Sequence, residues 1–314
     1  MELPSYDALA ARTDGAPAGS AWGVFGDDDE VGTLNLVDNA QALAGIATVR
    51  TGDVYPLNWR IDLPFPNPWR RVPERTQIGQ AGLGRDDFLS PFYLQYGTQW
   101  DGLRHIEGPQ GFYNGVAPER VDDPESTTLG IDVWARRGIV GCGVLLDVAA
   151  TAAAKGTPID PATRFEITAD LLDETADRQG TTIATGDILL VRTGWVGWYN
   201  GLSQAERTAA YGQASPQPGL APTEETAAWL WDRHVAAVAA DNSALEASPI
   251  DMAPGKFLHT RIIAGFGMPI GEHFWLDDLA TACAEDRRWR FLLVSAPLNV
   301  PGGVGSPPNA LAIR

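Results

Sequence analysis

Residues 95–105 read QYGTQWDGLRH, which gathers two amides, a carboxylate and an imidazole into one short stretch. In an extended chain, side chains two apart share a face. Gln95, Gln99, Asp101 and His105 then point one way, with Gly97 leaving a gap among them. Tyr96, Thr98 and Trp100 point the other way, a set suited to packing on a core. A second pair lies downstream, where His259 and Glu272 bracket HTRIIAGFGMPIGE. Asp, two His and Glu are the ligand types of a borderline-to-hard divalent metal such as zinc or manganese. Each residue alone is as well explained as a cap, a surface group or a satisfied core partner. The two pairs together point to a site because both lie among glycines, prolines and aromatics rather than on a polar helix face. Of the four histidines in the chain, His234 reads as a structural residue at a helix-to-strand junction. His273 is a candidate to support its neighbour Glu272.

Other chemistries leave no trace. The glycine-rich tail PGGVGSPPN, 301–309, lacks G-K-[ST] and is followed by prolines where a phosphate-binding helix would start, so it reads as a structural or substrate-facing turn. GIVGCG, 138–143, lacks the dinucleotide spacing and runs into a strand. No G-x-S-x-G, H-E-x-x-H or C-x-x-C occurs. Cys142 and Cys283 sit in apolar surroundings and read as buried thiols.

The elements that must position the candidate residues can be read in part. DNAQALAGIATVRTG, 38–52, predicts a helix capped by Asp38 and closed by Gly52. DVYPLNWRIDL predicts a strand after it. Residues 63–91, rich in proline and arginine, predict a long loop of the kind that carries function. Buried strands are expected in GIVGCGVLLDVAA and TGDILLVRTGW, the second running into aromatic loop sequence, GWVGWYNG. Thr168 and Thr223 should cap helices through Gln179 and Asp232, and HVAAVAAD and RWRFLLVSAPLNV should be strands. Trp100, Trp195, Trp198, Phe65 and Trp69 are candidates for an aromatic substrate pocket. Interspersed strands and helices give a mixed α/β or α+β class, and without a linker or repeat the chain reads as one domain, 1–314.

With 314 residues, 44% hydrophobic and 20% charged, the composition is that of a globular protein. A formal net charge of −17 opposes nucleic acid and anionic membrane surfaces. The N-terminal MELPSYDALAARTDG has no basic region followed by an apolar core, so a cytoplasmic location is expected.

QYGTQWDGLRH resembles the H-x-G-T-H-x-D-x-P-x-H signature of the cyclase family, which includes bacterial kynurenine formamidases and isatin hydrolases. WGVFGDDDEVGTLNLV, GDILLVRTGW, ADNSALEASP, LHTRIIAGFGMPIGE and FLLVSAPLNVPGGVGSPPNALAI resemble segments of its longer members. The resemblance implies a swivelling β/β/α fold, a homo-oligomer (dimer or tetramer), a divalent metal (manganese or zinc) and a small-molecule substrate. It also implies metal and catalytic roles for Asp101, His105, His259 and Glu272. The signature's first two histidines are Gln95 and Gln99 here, and its proline is Leu103; G-T-Q-W-D resembles the longer branch. A glutamine oxygen can ligate a metal but is a weaker donor than imidazole, so Gln95 and Gln99 are secondary metal candidates, and one metal is expected rather than two. The implied reaction is metal-dependent hydrolysis of an amide, imide, ester or lactone carbonyl on a small cyclic or aromatic substrate. A metal-dependent lyase or cyclase, or a binding protein that has lost its metal, would carry the same residues.

Overall fold

The computed structural model describes residues 3–212, 215–253 and 255–314. Its centre is a nine-stranded mixed sheet. In spatial order the strands are β1 (Val54–Pro56), β13 (Leu311–Ile313), β11 (Arg290–Ser295), β5 (Ile139–Asp147), β7 (Ile188–Arg192), β9 (Ala237–Ala240), β10 (Ile270–Glu272), β4 (Gln99–Asp101) and β12 (Gly305–Ser306). The middle, β5–β7–β9–β10, is parallel, and both flanks are antiparallel. Parallel strands are covered on both faces, which explains the unbroken apolar runs in β5, β7 and β9. Val144, Leu145, Leu189, Leu190 and Val238 are all fully buried. A separate hairpin pairs β2 (Glu74–Gln80) with β3 (Gly84–Ser90), and β6 (Glu166–Ile167) pairs with β8 (Gly219–Leu220).

Most helix ends fall where the caps place them. Asp38 accepts from the Ala40 and Gln41 amides and starts helix Asn39–Thr48. Thr168 caps Ala169–Gln179 and Thr223 caps Glu224–Asp232. Cys142 and Cys283 are both buried and unpaired. Among the described residues, no helix is long and apolar enough to cross a membrane.

Four expectations change. The helix begun by Asp38 ends at Thr48, short of Gly52, because Val49 turns to extended geometry. The stretch 63–91 is not all loop, since it contains the β2–β3 hairpin, whose strands are almost wholly exposed. DVYPLNWRIDL keeps strand geometry only over Val54–Pro56. GWVGWYNG is helical over Trp195–Gly201 because that geometry buries Trp195, Val196 and Tyr199 together. Gly194, at φ +87°, makes the turn into it.

Candidate metal centre

The site is built on the pairing of β4 with β10. Glu272 lies opposite Gln99, and Ile270 opposite Asp101. Residues directly across an antiparallel pair share a face, so Gln99, Asp101 and Glu272 project together. Trp100 projects the other way, over Gly271, where an added Cβ would stand 2.8 Å from the indole and 2.4 Å from Ala239. Trp100 is fully buried, packs on Phe274 at 4.9 Å and donates to Ser295 Oγ at 3.0 Å. It belongs to the core, which removes it from the expected aromatic pocket. Strand alternation holds only from Gln99 to Asp101. Gly97 leaves no gap, because the Leu63 carbonyl fills the space, 2.7 Å from where a Cβ would sit.

His259 enters at the head of a π-helical turn, Thr260–Phe266, that leads into β10. Ligand atoms of Asp101, His259 and Glu272 lie within 4.8 Å of one another, and all three residues are buried. His259 Nε2 stands 3.3 Å from Glu272 Oε1. His105 follows β4 through a turn closed by its amide on the Gly102 carbonyl. Its Nε2 lies 3.9 Å from Asp101 Oδ2, and its side chain is partly exposed at the mouth. The structure thus brings together Asp101, His105, His259 and Glu272, and leaves His234 elsewhere, its Nδ1 against the Trp231 carbonyl.

The two glutamines sit in the same cluster and show their nitrogens to it. Gln99 Nε2 donates to Asp101 Oδ1 and to Glu272 Oε2, each at 2.9 Å. Gln95 Nε2 donates to Asp101 Oδ1 and lies 3.2 Å from His105 Nδ1. An amide's orientation is assigned from its network, and two carboxylate neighbours require the nitrogen of Gln99 there. Both glutamines therefore clamp the acids through N–H groups. Asp101 Oδ2 and Gln99 Oε1 are left buried without a hydrogen-bond partner. A buried carboxylate oxygen without a partner is costly, and a divalent cation between Asp101, His259 and Glu272 would satisfy it. The donor set fits such an ion.

Glu246 is a residue that sequence reasoning passed over. It is fully buried; Oε2 accepts from the Leu258 amide at 2.8 Å, and Oε1 stands 2.6 Å from His259 Nδ1. That contact turns His259 Nε2 toward Glu272, the carboxylate–histidine pairing that orients metal ligands. ADNSALEASP sets Glu246 between Leu245 and Ala247, beside apolar neighbours but in a stretch that also carries Asp241, Asn242 and two serines.

Charges crowded out of water shift the groups that titrate here. Burial and the adjacent Asp101 push the Glu272 carboxyl up to about 7. Burial alone would lower His259, but the Glu246 and Glu272 carboxylates outweigh it and raise it to about 10. His105 is lowered by burial, with Asp101 opposing. His273 is pushed down to about 3 by burial, then by the charge of Arg70. Its ring lies among Trp59, Trp195 and Tyr211, with centroids 6.1, 5.9 and 6.1 Å away.

Beside the cluster, an open cavity of about 410 Å³ is lined by His105, Glu107, Met252, Phe257 and Thr260. Phe257 stacks on His259 at 4.8 Å. A cleft of about 470 Å³ bounded by Asp147, Arg192 and Glu285 touches none of the cluster residues.

The Cyclase family model matches residues 58–247, a span that holds β4, the glutamines and Glu246. The chain belongs to the cyclase family. His259 and Glu272 lie beyond the matched span. A crystal structure of a novel cyclase is 32% identical, with a TM-score of 0.83 over 94% of this chain and 99% of that one. The mixed sheet with its helices is therefore the fold of this family. An isatin hydrolase bound to the product analogue thioisatinate is 18% identical, with a TM-score of 0.60 over 88% of this chain and 99% of its own. Isatin hydrolase A from Labrenzia aggregata, bound to benzyl benzoate, is 19% identical, with a TM-score of 0.57 over 87% and 98%. At such identities the likeness is one of fold. No curated protein matches the sequence.

Proposed function

We propose that this cyclase-family chain is a metal-dependent hydrolase acting on an amide, imide, ester or lactone carbonyl of a small cyclic or aromatic substrate. The observation that carries the reading is the buried Asp101, His259 and Glu272 triad with an unpartnered Asp101 oxygen at its centre. Asp101, His259 and Glu272 would hold one divalent ion, manganese or zinc, with His105 at the open side of the site. A divalent ion held there supplies Lewis acidity, polarising a carbonyl and making water more acidic.

The chain's own groups divide the remaining work. Glu246 fixes the His259 ring, and Gln99 holds Asp101 and Glu272 at their spacing. Gln95 donates to His105 Nδ1, which puts the proton of a neutral His105 on Nε2. That N–H faces the cluster from the open side and can donate a hydrogen bond to a leaving nitrogen or oxygen. Of His259 and Glu272, whichever is not held as a ligand can take the proton from water. Fold relatives that hydrolyse isatin support a hydrolytic reaction over the ring closure in the family's name.

A homo-oligomer is part of this reading. The β2–β3 hairpin stands clear of the core with Ile78, Leu83 and Phe88 at least half exposed, and an isolated two-stranded hairpin is marginal in water. A second copy is the partner that would cover it.

Elemental analysis after gentle purification should find about one divalent ion per chain, on the ligand count above. The product of a turned-over substrate should be heavier than the substrate by one water. A product of equal mass, or lighter by one water, would make the chain a cyclase or lyase. Metal-free protein that cannot be reconstituted would make it a binding protein.

A further inference from the structure

A second cavity abuts the one at the metal centre. It holds about 370 Å³ and shares Gly108, Pro109, Gly255, Phe257 and Thr260 with the cavity that His105 lines. Phe257, stacked on His259 at 4.8 Å, lines both. The N-terminal segment adds Pro17, Ser20 and Trp22, and the π-helical turn headed by His259 adds Arg261, Ala264 and Gly265. These walls are bonded to each other. The Ala21 amide donates to the Gly265 carbonyl at 2.9 Å, and Trp22 Nε1 to the Ala264 carbonyl at 2.7 Å. Arg12 Nη1 fastens the segment further, donating to the carbonyls of Ser20 and Trp22 at 2.8 and 3.0 Å.

Two polar groups on this mostly apolar wall lack partners. Ser20 is only 3% exposed. Its amide donates to the Pro17 carbonyl at 3.0 Å and its carbonyl accepts from Arg12, yet its Oγ is buried with no hydrogen-bond partner. Arg261 Nη2 donates to the Gly255 carbonyl at 3.1 Å, while its Nε is buried and unpartnered. Among the described residues Arg261 forms no ion pair. Trp22 cannot serve either group, because its N–H is already taken by Ala264. Buried donors left unpaired are costly, and an apolar cavity carrying a few such groups is the usual form of a small-molecule site.

We propose that this cavity is a side pocket for the substrate, taking a ring-bearing arm that ends in a carboxylate held by Ser20 and Arg261 while the reacting carbonyl lies at the metal centre. A hydroxyl and an arginine N–H both donate to a carboxylate, and one guanidinium balances one negative charge. Trp22 and Phe257 suit a flat ring between the two ends. A molecule that occupies both cavities must pass Phe257, so the substrate class is an ester or amide whose reacting carbonyl carries a carboxylate-tipped arm. The proposal rests on the hydrolase reading for the reacting carbonyl, but binding of the arm needs no turnover.

The test is calorimetric titration of the metal-loaded full chain with hydrocinnamate, a phenyl ring on a short carboxylate arm, and with its neutral counterpart hydrocinnamide. Wild type should bind hydrocinnamate about 10-fold tighter or better, the scale of a charge-assisted hydrogen bond. Arg261→Gln should erase that preference while keeping its metal, and Ser20→Ala should lower it. Ala18→Trp, at an exposed position on the same cavity, should cost both compounds their binding by filling the space. That variant keeps the test decisive if Arg261→Gln loses its metal. Equal affinities in wild type, no hydrocinnamate binding, or a preference unchanged in Arg261→Gln would overturn the proposal. The last result would put the carboxylate on the cation. Binding untouched by Ala18→Trp would place the anchor outside this cavity and overturn it too. Arg261-dependent preference in a protein that hydrolyses no ester or amide would sink the hydrolase reading and leave the side pocket standing. Hydrolysis of phenyl acetate by a wild type that binds acid and amide equally would do the reverse.

Discussion

The floor of the site and its rim are built differently. The floor is β4 against β10, with Asp101, Gln99, His259 and Glu272 each less than a tenth exposed and tied by hydrogen bonds. The rim is the chain between β1 and β4, where Trp69 is half exposed and the Arg70 amide is held by the Asn67 side chain. Groups that hold a cation must keep fixed spacing, and strands packed on a core provide it. Groups that select a substrate tolerate more freedom, and loops provide that. Ligands in the floor should thus be costly to alter in metal binding, while the rim should alter recognition alone.

The sharpest way to break this contrast is to remove a ligand. Asp101→Asn and His259→Ala should each lose metal retention and with it any metal-dependent activity, because the groups left behind must hold an incompletely coordinated ion. His234→Ala should do neither, since that ring sits against Trp231, three residues back in its own turn and away from the cluster. Metal per chain after dialysis reads all three. An His234 variant as depleted as Asp101→Asn would mean that the floor has been placed wrongly.

The supports should cost less than the ligands. Glu246→Gln keeps a hydrogen-bonding group beside His259 Nδ1 but removes the charge, and should weaken metal affinity by about 10- to 100-fold. Gln99→Ala removes the amide that spans Asp101 and Glu272, and a loss near the lower end, about 10-fold, is expected. Competition with a chelator of known affinity measures both. A loss for Gln99→Ala as complete as for Asp101→Asn would make Gln99 a ligand, as its family position first suggested, and not a clamp.

The same contrast explains what the sequence disclosed. Asp101, His105, His259 and Glu272 were legible because their types are rare in apolar, glycine-rich surroundings. The cap residues Asp38, Thr168 and Thr223 were legible because capping is local. Glu246 was not, because its partner His259 is 13 residues away along the chain and only the fold turns the two together. Trp100 was misjudged because strand alternation fixes a face but not what covers it; Phe274 and Ser295 cover it here. Helix Trp195–Gly201 was missed because its glycines and aromatics favour a loop, and tertiary burial overrides that preference.

The smallest effect on the floor should come from the outermost part of the rim. Glu74 pairs with Ser90 at the base of the β2–β3 hairpin, so the chain can be closed there by a two-residue Asn-Gly turn. The strands removed bury little, with Leu89 the one position of either strand that is not exposed. Surface changes of this kind shift stability by about 0.5 kcal/mol or less, so thermal unfolding and metal content should stay close to those of the intact chain. Ile78 and Phe88 lie on one face of the hairpin, since Ile78 faces Asp86 and Thr76 faces Phe88. That face is what a second copy would cover, and removing it should lower the mass measured by light scattering toward that of a single chain. A shortened protein of unchanged mass would assign the contact between copies to another surface. A shortened protein that loses its metal would show that the rim supports the floor, and the division drawn between them would fail.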